Sequence, residues 1–133
     1  MSIDEQKQIK TEYYNEAIRY MDNAKETLKK AGKDSRFYLD DKYVKSACGI
    51  AYVGLLKALD GYFILKSIKP PKNKKSIEYY RDNIVKIDKK LKVYLNNAYE
   101  ALHISGYYEG VTSIKIITEG FDLAYVIIGK IKP

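Results

Sequence analysis

The fold is decided by residues 41–67, DKYVKSACGIAYVGLLKALDGYFILKS, the longest weakly charged run in the chain. Small residues recur there at alternating steps of four and three: Ala47, Ala51, Gly54, Ala58 and Gly61. This spacing puts them on one face of an α-helix, where a neighbouring helix can approach closely. Large apolar residues cover the adjoining faces, so we predict a central helix buried on more than one side. Lys45, Lys57 and Asp60 interrupt the run short of the ~20 apolar residues of a membrane span, so no membrane association is expected.

The same three-four spacing of apolar residues predicts four helices joined by short connections. They cover about residues 3–31, 41–68, 75–104 and 110–131. The chain is therefore predicted to be all-α, a single domain over residues 1–133 folded as a four-helix up-down-up-down bundle.

Capping and breaking residues set the expected ends of the first two helices. Ser2 and Glu5 have the spacing of a capping box at the start of the first helix. Asp40 or Asp41 is expected to cap the second helix, and Pro70 must follow its end because proline cannot continue a helix.

The third helix has the most regular apolar spacing, and Ser105 and Gly106 are expected to end it. In the fourth, the β-branched run VTSIKIIT (residues 111–118) would also suit a strand. No partner strand is predicted elsewhere, so we expect a helix from about Thr112, or one turn earlier.

The net charge of +7 is concentrated in one quarter of the chain. Residues 66–92 carry ten basic and three acidic side chains, and five lysines flank the Pro-Pro turn: Lys66, Lys69, Lys72, Lys74 and Lys75. A lysine-rich turn binds phosphates with salt-sensitive affinity, so these lysines form a candidate patch for an acidic partner, including nucleic acid. The alternative is a solvated surface without a partner. Arginine is scarce, so base-specific reading is not indicated.

Residues that carry common chemistries are few. The chain has one histidine, His103, and one cysteine, Cys48, and it lacks the HExxH, CxxC, GxxxxGK[ST], GxGxxG and GxSxG patterns. We therefore expect no metal, no cofactor and no catalytic residue, and we favour a protein that is not an enzyme. The polar start MSIDEQKQ does not resemble a signal peptide, so a cytoplasmic location is expected.

A candidate ligand cleft is assembled from the histidine, a tyrosine pair and an unusual acid. Tyr107 and Tyr108 lie near His103 in sequence, and half-exposed tyrosines are typical of interfaces. Asp60 is an acid inside the apolar central helix, either exposed and paired with Lys57 or partly buried at a polar cleft. The alternative for the tyrosines is amphipathic packing at the bundle edge.

The tail LHISGYYEG (102–110), followed by EGFDLAYVIIGKI (119–131), resembles a small uncharacterised bacterial family. With the alanine- and glycine-rich second helix and the histidine late in the third, the chain is also similar to the HEPN-like four-helix bundles. HEPN nucleases carry an arginine separated from a histidine by four to six residues. Asn96, Asn97 and Ala98 occupy those positions before His103. The resemblance therefore implies no ribonuclease activity, and its non-catalytic members act as binding or partner domains.

Three hypotheses follow. The leading one is a non-catalytic interaction or binding module, self-associating as a homodimer or binding another protein. The second is a HEPN-like RNA-binding or nuclease-derived protein that lacks the catalytic arginine. The third is a small-molecule enzyme, which requires Asp60 and His103 to converge in one pocket near Tyr107.

Overall fold

The computed structural model describes residues 1–133 and is all-α. Its five α-helices are α1 (Ile3–Lys29), α2 (Asp41–Leu65), α3 (Ile77–Ile87), α4 (Lys89–Ala98) and α5 (Ile114–Ile128). Two short strands, β1 (Lys33–Asp34) and β2 (Phe37–Tyr38), form a hairpin between α1 and α2. Helix α4 continues directly into a π-helix, Tyr99–Tyr108, which is called the π segment below. A short 3₁₀ turn, Gly129–Ile131, follows α5.

The predicted caps of the first two helices are present. The Ser2 hydroxyl accepts a hydrogen bond from the Glu5 backbone N–H at 3.1 Å. The Asp40 carboxylate accepts one from the Lys42 N–H at 3.0 Å, so α2 begins at Asp41. These bonds satisfy N–H groups that have no partner inside their own helix.

Helix α2 is the central element, and its small residues bring α1 into close contact. A Cβ atom at Gly54 would lie 2.9 Å from Tyr20 Cβ and 3.2 Å from the Ala17 carbonyl oxygen. At Gly61 it would lie 2.5 Å from Tyr13 Cβ. The predicted close approach is therefore real, because a larger side chain at either position would push the two helices apart.

The predicted third helix is wrong in its interior and at its end. Asp88 adopts an extended conformation (φ −160°, ψ 98°) and divides it into α3 and α4. Its carboxylate accepts hydrogen bonds from the Lys90 and Leu91 N–H groups, both at 3.1 Å, so it caps a new helix. At its C-terminal end, Gly106 does not terminate the helix, which continues as a π-helix to Tyr108. Apolar spacing alone does not reveal the break, because Ile84 of α3 and Leu91 of α4 are both fully buried and keep the spacing of a continuous helix.

The fourth predicted helix begins later than expected, at Ile114, with Ser113 as its cap. Residues 111–113 instead contact the hairpin. The Tyr38 N–H donates to the Thr112 carbonyl at 2.9 Å, and the Ile114 N–H donates to the Arg36 carbonyl at 3.0 Å. The first residues of the β-branched run thus pair with the hairpin, and the rest of the run, from Ile114, is helical. The structure has five α-helices, whereas the apolar spacing predicts four.

Helix α2 is long and apolar enough, by length and composition, to span a membrane. Half of its most apolar 18-residue window is buried inside the protein, where α2 packs against α1, α5 and the π segment. The core helix of a bundle passes the same test, and the predicted burial on more than one side is confirmed. Most of the remaining residues in that window are half-buried, and Val53 is exposed.

Candidate functional site

The π segment arranges three rings in a column. Hydrogen bonds from residue i+5 to residue i, such as the 2.9 Å bond from the Glu109 N–H to the Ile104 carbonyl, widen its turns. Residues four apart lie on one side of the segment, as they do in an α-helix. The His103 ring is 5.2 Å from Tyr99 at an interplanar angle of 29°, and 5.7 Å from Tyr107 at 11°. Tyr99, His103 and Tyr107 are called the aromatic column below.

Two further tyrosines enclose His103. Tyr52 of α2 has its ring centroid 4.7 Å away, and Tyr108 lies 4.8 Å away and nearly perpendicular at 85°. At the other end of the column, the Arg81 guanidinium lies 4.9 Å from the centre of the Tyr99 ring. Arg81 is held there by donating a hydrogen bond to Asn96 Oδ1 at 2.7 Å. The histidine is therefore surrounded by aromatic rings and not by acids or metal ligands.

Two glycines let the aromatic column lie against α2. A Cβ at Gly49 would lie 2.9 Å from Cδ1 of Tyr107, and a Cβ at Gly106 would overlap the Cys48 side chain. Cys48 is fully buried at this contact, and burial raises the pKa of its thiol to about 12. A thiol that stays protonated is a poor nucleophile, so Cys48 fills space.

The histidine of the aromatic column is uncharged near neutral pH. Burial lowers the pKa of His103, which keeps the imidazole neutral, and burial raises the pKa of Tyr52 to about 12. The ring cluster therefore offers apolar and aromatic surface with hydroxyl groups, and no fixed charge.

A groove of about 680 Å³ runs along α2 beside the aromatic column, and it is called the aromatic groove below. It is lined by Tyr20, Ser46, Gly49, Ile50, Tyr52, Val53, Leu56, His103, Tyr107 and Tyr108. Val53 is 40% exposed and Tyr108 is 64% exposed. None of the lining side chains is an acid, a lysine or an arginine, so the groove is an apolar strip on the central helix.

The structure divides the predicted ligand cleft. His103, Tyr107 and Tyr108 line the aromatic groove, but Asp60 lines a separate cleft of about 330 Å³ with Lys75. Asp60 lies seven residues beyond Val53 on α2, about 10 Å further along the helix axis. Convergence of Asp60 and His103 in one pocket, which the enzyme hypothesis requires, is not observed.

Asp60 is a partly buried acid, with 19% of its side chain exposed, and it pairs with Lys75 and not with Lys57. Its Oδ1 atom lies 3.1 Å from Lys75 Nζ and accepts a hydrogen bond from the Tyr80 hydroxyl at 2.8 Å. Burial and this hydrogen bond to a carboxylate both raise the pKa of Tyr80. The lysine-rich segment around Pro70 and Pro71, residues 66–75, is called the basic turn below, and Asp60 ties it to α2 through Lys75.

The other lysines of the predicted patch stay exposed: Lys66, Lys69, Lys72 and Lys74. The Tyr79 hydroxyl donates to the Lys69 carbonyl at 3.4 Å, a second and weaker tether on the turn. The structure contains no group of three or more histidine, cysteine, aspartate or glutamate side chains that could hold a metal ion.

Seven of the ten residues that line the aromatic groove were not predicted from the sequence. Gly49, Ile50 and Val53 share a side of α2 that differs from the small-residue face, and this second periodicity was available in the sequence. Tyr99 lies four residues before His103, so helical spacing could also have found it. Arg81 could not be found in this way, because its contact with Tyr99 depends on the packing of α3.

The fold and this site define a small all-α protein with an uncharged aromatic groove. The family model described as Domain of unknown function (DUF5618) matches residues 12–133, and the chain belongs to this family. A solved structure, a protein of unknown function from Dyadobacter fermentans, is similar at 38% identity with a TM-score of 0.81. The similarity covers 92% of this chain and 94% of that one. No curated protein matches the chain.

Proposed function

We propose that this protein is a non-catalytic binding module that self-associates through the aromatic groove. The observation that carries the proposal is the uncovered apolar strip of α2. Val53 on this strip is 40% exposed, and its neighbours Ile50 and Leu56 are only half-buried, so this chain covers the strip in part. A contiguous exposed apolar surface on a small protein marks an interaction site.

The composition of the groove favours a second copy of the chain as its partner. A two-fold contact places the same surface on both subunits, so charges of one sign would repel across it. The aromatic groove has no charged side chain, whereas the basic turn could not face itself. Exposed tyrosines at the rim, Tyr107 and Tyr108, are of the type enriched at interface centres.

Light scattering over a range of protein concentrations tests the proposal. The wild type is expected to approach twice the chain mass of 15.4 kDa. Val53→Glu in the groove should be monomeric, because a dimer would bury the added charges without partners. Val93→Glu is the matched control, since Val93 is 56% exposed on α4 and does not line the groove. It should remain a dimer.

Tyr108→Lys is a second groove variant that should also be monomeric. It leaves the core unchanged, because the Tyr108 ring is largely exposed. Circular dichroism of each variant confirms that it is folded. A monomeric wild type at every concentration, or a Val53→Glu variant that still dimerises while folded, would rule out self-association through this surface.

A second candidate function is RNA binding by a HEPN-like up-down bundle that lacks the catalytic arginine. The supporting observation is that the basic turn is held against α2 by the Lys75–Asp60 ion pair, while its other four lysines are exposed and free to contact phosphate. Asp60, which tethers the turn through Lys75, lies on α2 beyond the end of the aromatic groove. An extended RNA could contact the lysines through its backbone and stack a base on Tyr107 or Tyr108.

A further inference from the structure

A second groove lies on the other side of the π segment, between that segment and α5. Its volume is about 520 Å³. It carries three acids, Glu100, Glu119 and Asp122, and no lysine or arginine lines it. It is called the acidic groove below. In a chain with a net charge of +7, an all-acidic groove is a local reversal of the surface charge.

The three carboxylates have no cationic partner within the chain. The five ion pairs of the structure involve Glu16, Glu26, Asp60, Glu78 and Asp88. Glu100, Glu119 and Asp122 take part in none of them. No lysine or arginine nitrogen lies within 4.0 Å of these carboxylates, so they are free to pair with a cationic ligand.

The floor of the acidic groove is apolar. Ile116, Leu123 and Val126 recur at seven- and three-residue steps along one side of α5, and Val126 is 47% exposed. A Cβ at Gly120 would lie 2.9 Å from Ala101 Cβ, so α5 and the π segment touch at the base of the groove. From Ile116 to Val126 the wall is about 15 Å long, the length of an ordinary three-turn helix.

We propose that the acidic groove binds a basic amphipathic helix of a partner protein. An apolar stripe on that helix would pack against Ile116, Leu123 and Val126, and lysines or arginines flanking the stripe would pair with Glu119 and Asp122 on one wall and Glu100 on the other. Helices that lie in grooves use this combination of spaced apolar anchors and flanking charges. This surface is separate from the aromatic groove, so the inference extends the proposed function to a second partner.

Charge complementarity selects this occupant. The protein as a whole repels cations, so a basic segment binds only where the local potential is negative. An acidic or neutral helix would place its apolar stripe equally well but would leave the carboxylates unpaired. A metal ion is not favoured, because the structure contains no cluster of three metal-ligating side chains.

Fluorescence anisotropy with designed peptides tests the inference on the 133-residue chain. The probe is a labelled helical peptide with leucines at positions i, i+3, i+7 and i+10 and lysines flanking that stripe. One control peptide replaces every lysine with glutamate, and another keeps the composition but scatters the leucines. The probe should bind at least about 10-fold more tightly than either control.

Variants then locate the site. Glu119→Lys combined with Asp122→Lys should weaken the binding of the probe by about 10-fold or more. Asp82→Lys changes an exposed acid of α3 that lines no groove described here, and it should leave the affinity unchanged. Equal weakening by both changes, equal binding of the scattered peptide, or no binding of the probe would overturn the inference. Saturation of the groove by excess Mg²⁺ in place of the probe would also overturn it.

Discussion

The ring of His103 lies in a mainly aromatic environment. The rings of four tyrosines face it from α2 and from its own segment: Tyr52, Tyr99, Tyr107 and Tyr108. Its low pKa follows from the partial loss of water around the ring. Because no carboxylate stabilises the imidazolium, protonation of His103 must work against folding.

We expect stability to fall in acid through this residue. The folded-state pKa of His103 is below its unfolded value of about 6.5, so the unfolded chain binds more protons as the pH falls through that value. The His103 contribution is complete above about pH 6.5 and is lost below it. Urea unfolding measured on both sides of this pH should show a smaller acid-induced loss for His103→Gln than for the wild type. Identical pH dependence of the two proteins would contradict this account.

At the scale of helices, the contact between α1 and α2 depends on the absence of side chains. Gly54 and Gly61 are poor helix formers, each less favourable than alanine by roughly 1 kcal/mol. The closeness of Tyr20 and Tyr13 explains why alanine is not a better residue there. Packing between the two helices therefore outweighs local helix propensity at these positions.

Gly54→Ala should lower the free energy of unfolding by roughly 1–3 kcal/mol, because the new methyl group meets the Ala17 carbonyl and Tyr20 Cβ. Gly129→Ala is the matched control, since nothing lies within 4 Å of a Cβ there and its φ is −59°. That change should be neutral or stabilise by about 0.4–1 kcal/mol. Chemical denaturation measures both. Stabilisation by Gly54→Ala would show that α1 and α2 separate at no cost.

The division of the third predicted helix also belongs to this scale. Asp88 offers its side chain to the backbone of α4, and this local hydrogen bonding competes with continuation of α3. The apolar residues on either side still face the core. Their periodicity therefore predicts helix correctly on both sides of a break that it cannot locate.

Across the whole molecule, charge is segregated into a basic turn, an uncharged aromatic groove and an acidic groove. The lysines of the turn are not equivalent. Lys75 is held by Asp60, while Lys72 and Lys74 make no ion pair. The first contributes to the attachment of the turn, and the other two are available to a polyanion.

Reversing the charge of Lys72 and Lys74 together should leave the unfolding free energy nearly unchanged, because both side chains are exposed. Lys75→Glu should destabilise the protein, since it places a second acid beside Asp60. If the RNA hypothesis holds, the double change should also reduce the affinity for single-stranded RNA and the salt dependence of binding. Filter binding at two salt concentrations measures this. Unchanged affinity would leave the turn as a solvated surface.

Much of this architecture follows from local rules. Helical periodicity, the caps at Ser2 and Asp40 and the small-residue face of α2 are properties of neighbouring residues, and they determine the all-α class and the closest helix pair. The doublet Tyr107–Tyr108 near His103 likewise marked one end of the aromatic groove. The four-residue spacing of Tyr99, His103 and Tyr107 follows the same rule, whereas the π-helical hydrogen-bond pattern of their segment is not encoded by an apolar period.

The remaining features depend on partners that are distant in sequence. Asp60 finds Lys75 and Tyr80 instead of Lys57, and Arg81 reaches Tyr99 from another helix. The acidic groove exists only because Gly120 lets α5 touch the π segment. Periodicity specifies which side of each helix is buried, but the rotation and offset of packed helices decide which exposed side chains meet. The grooves are products of that packing, and only the folded structure brings their residues together.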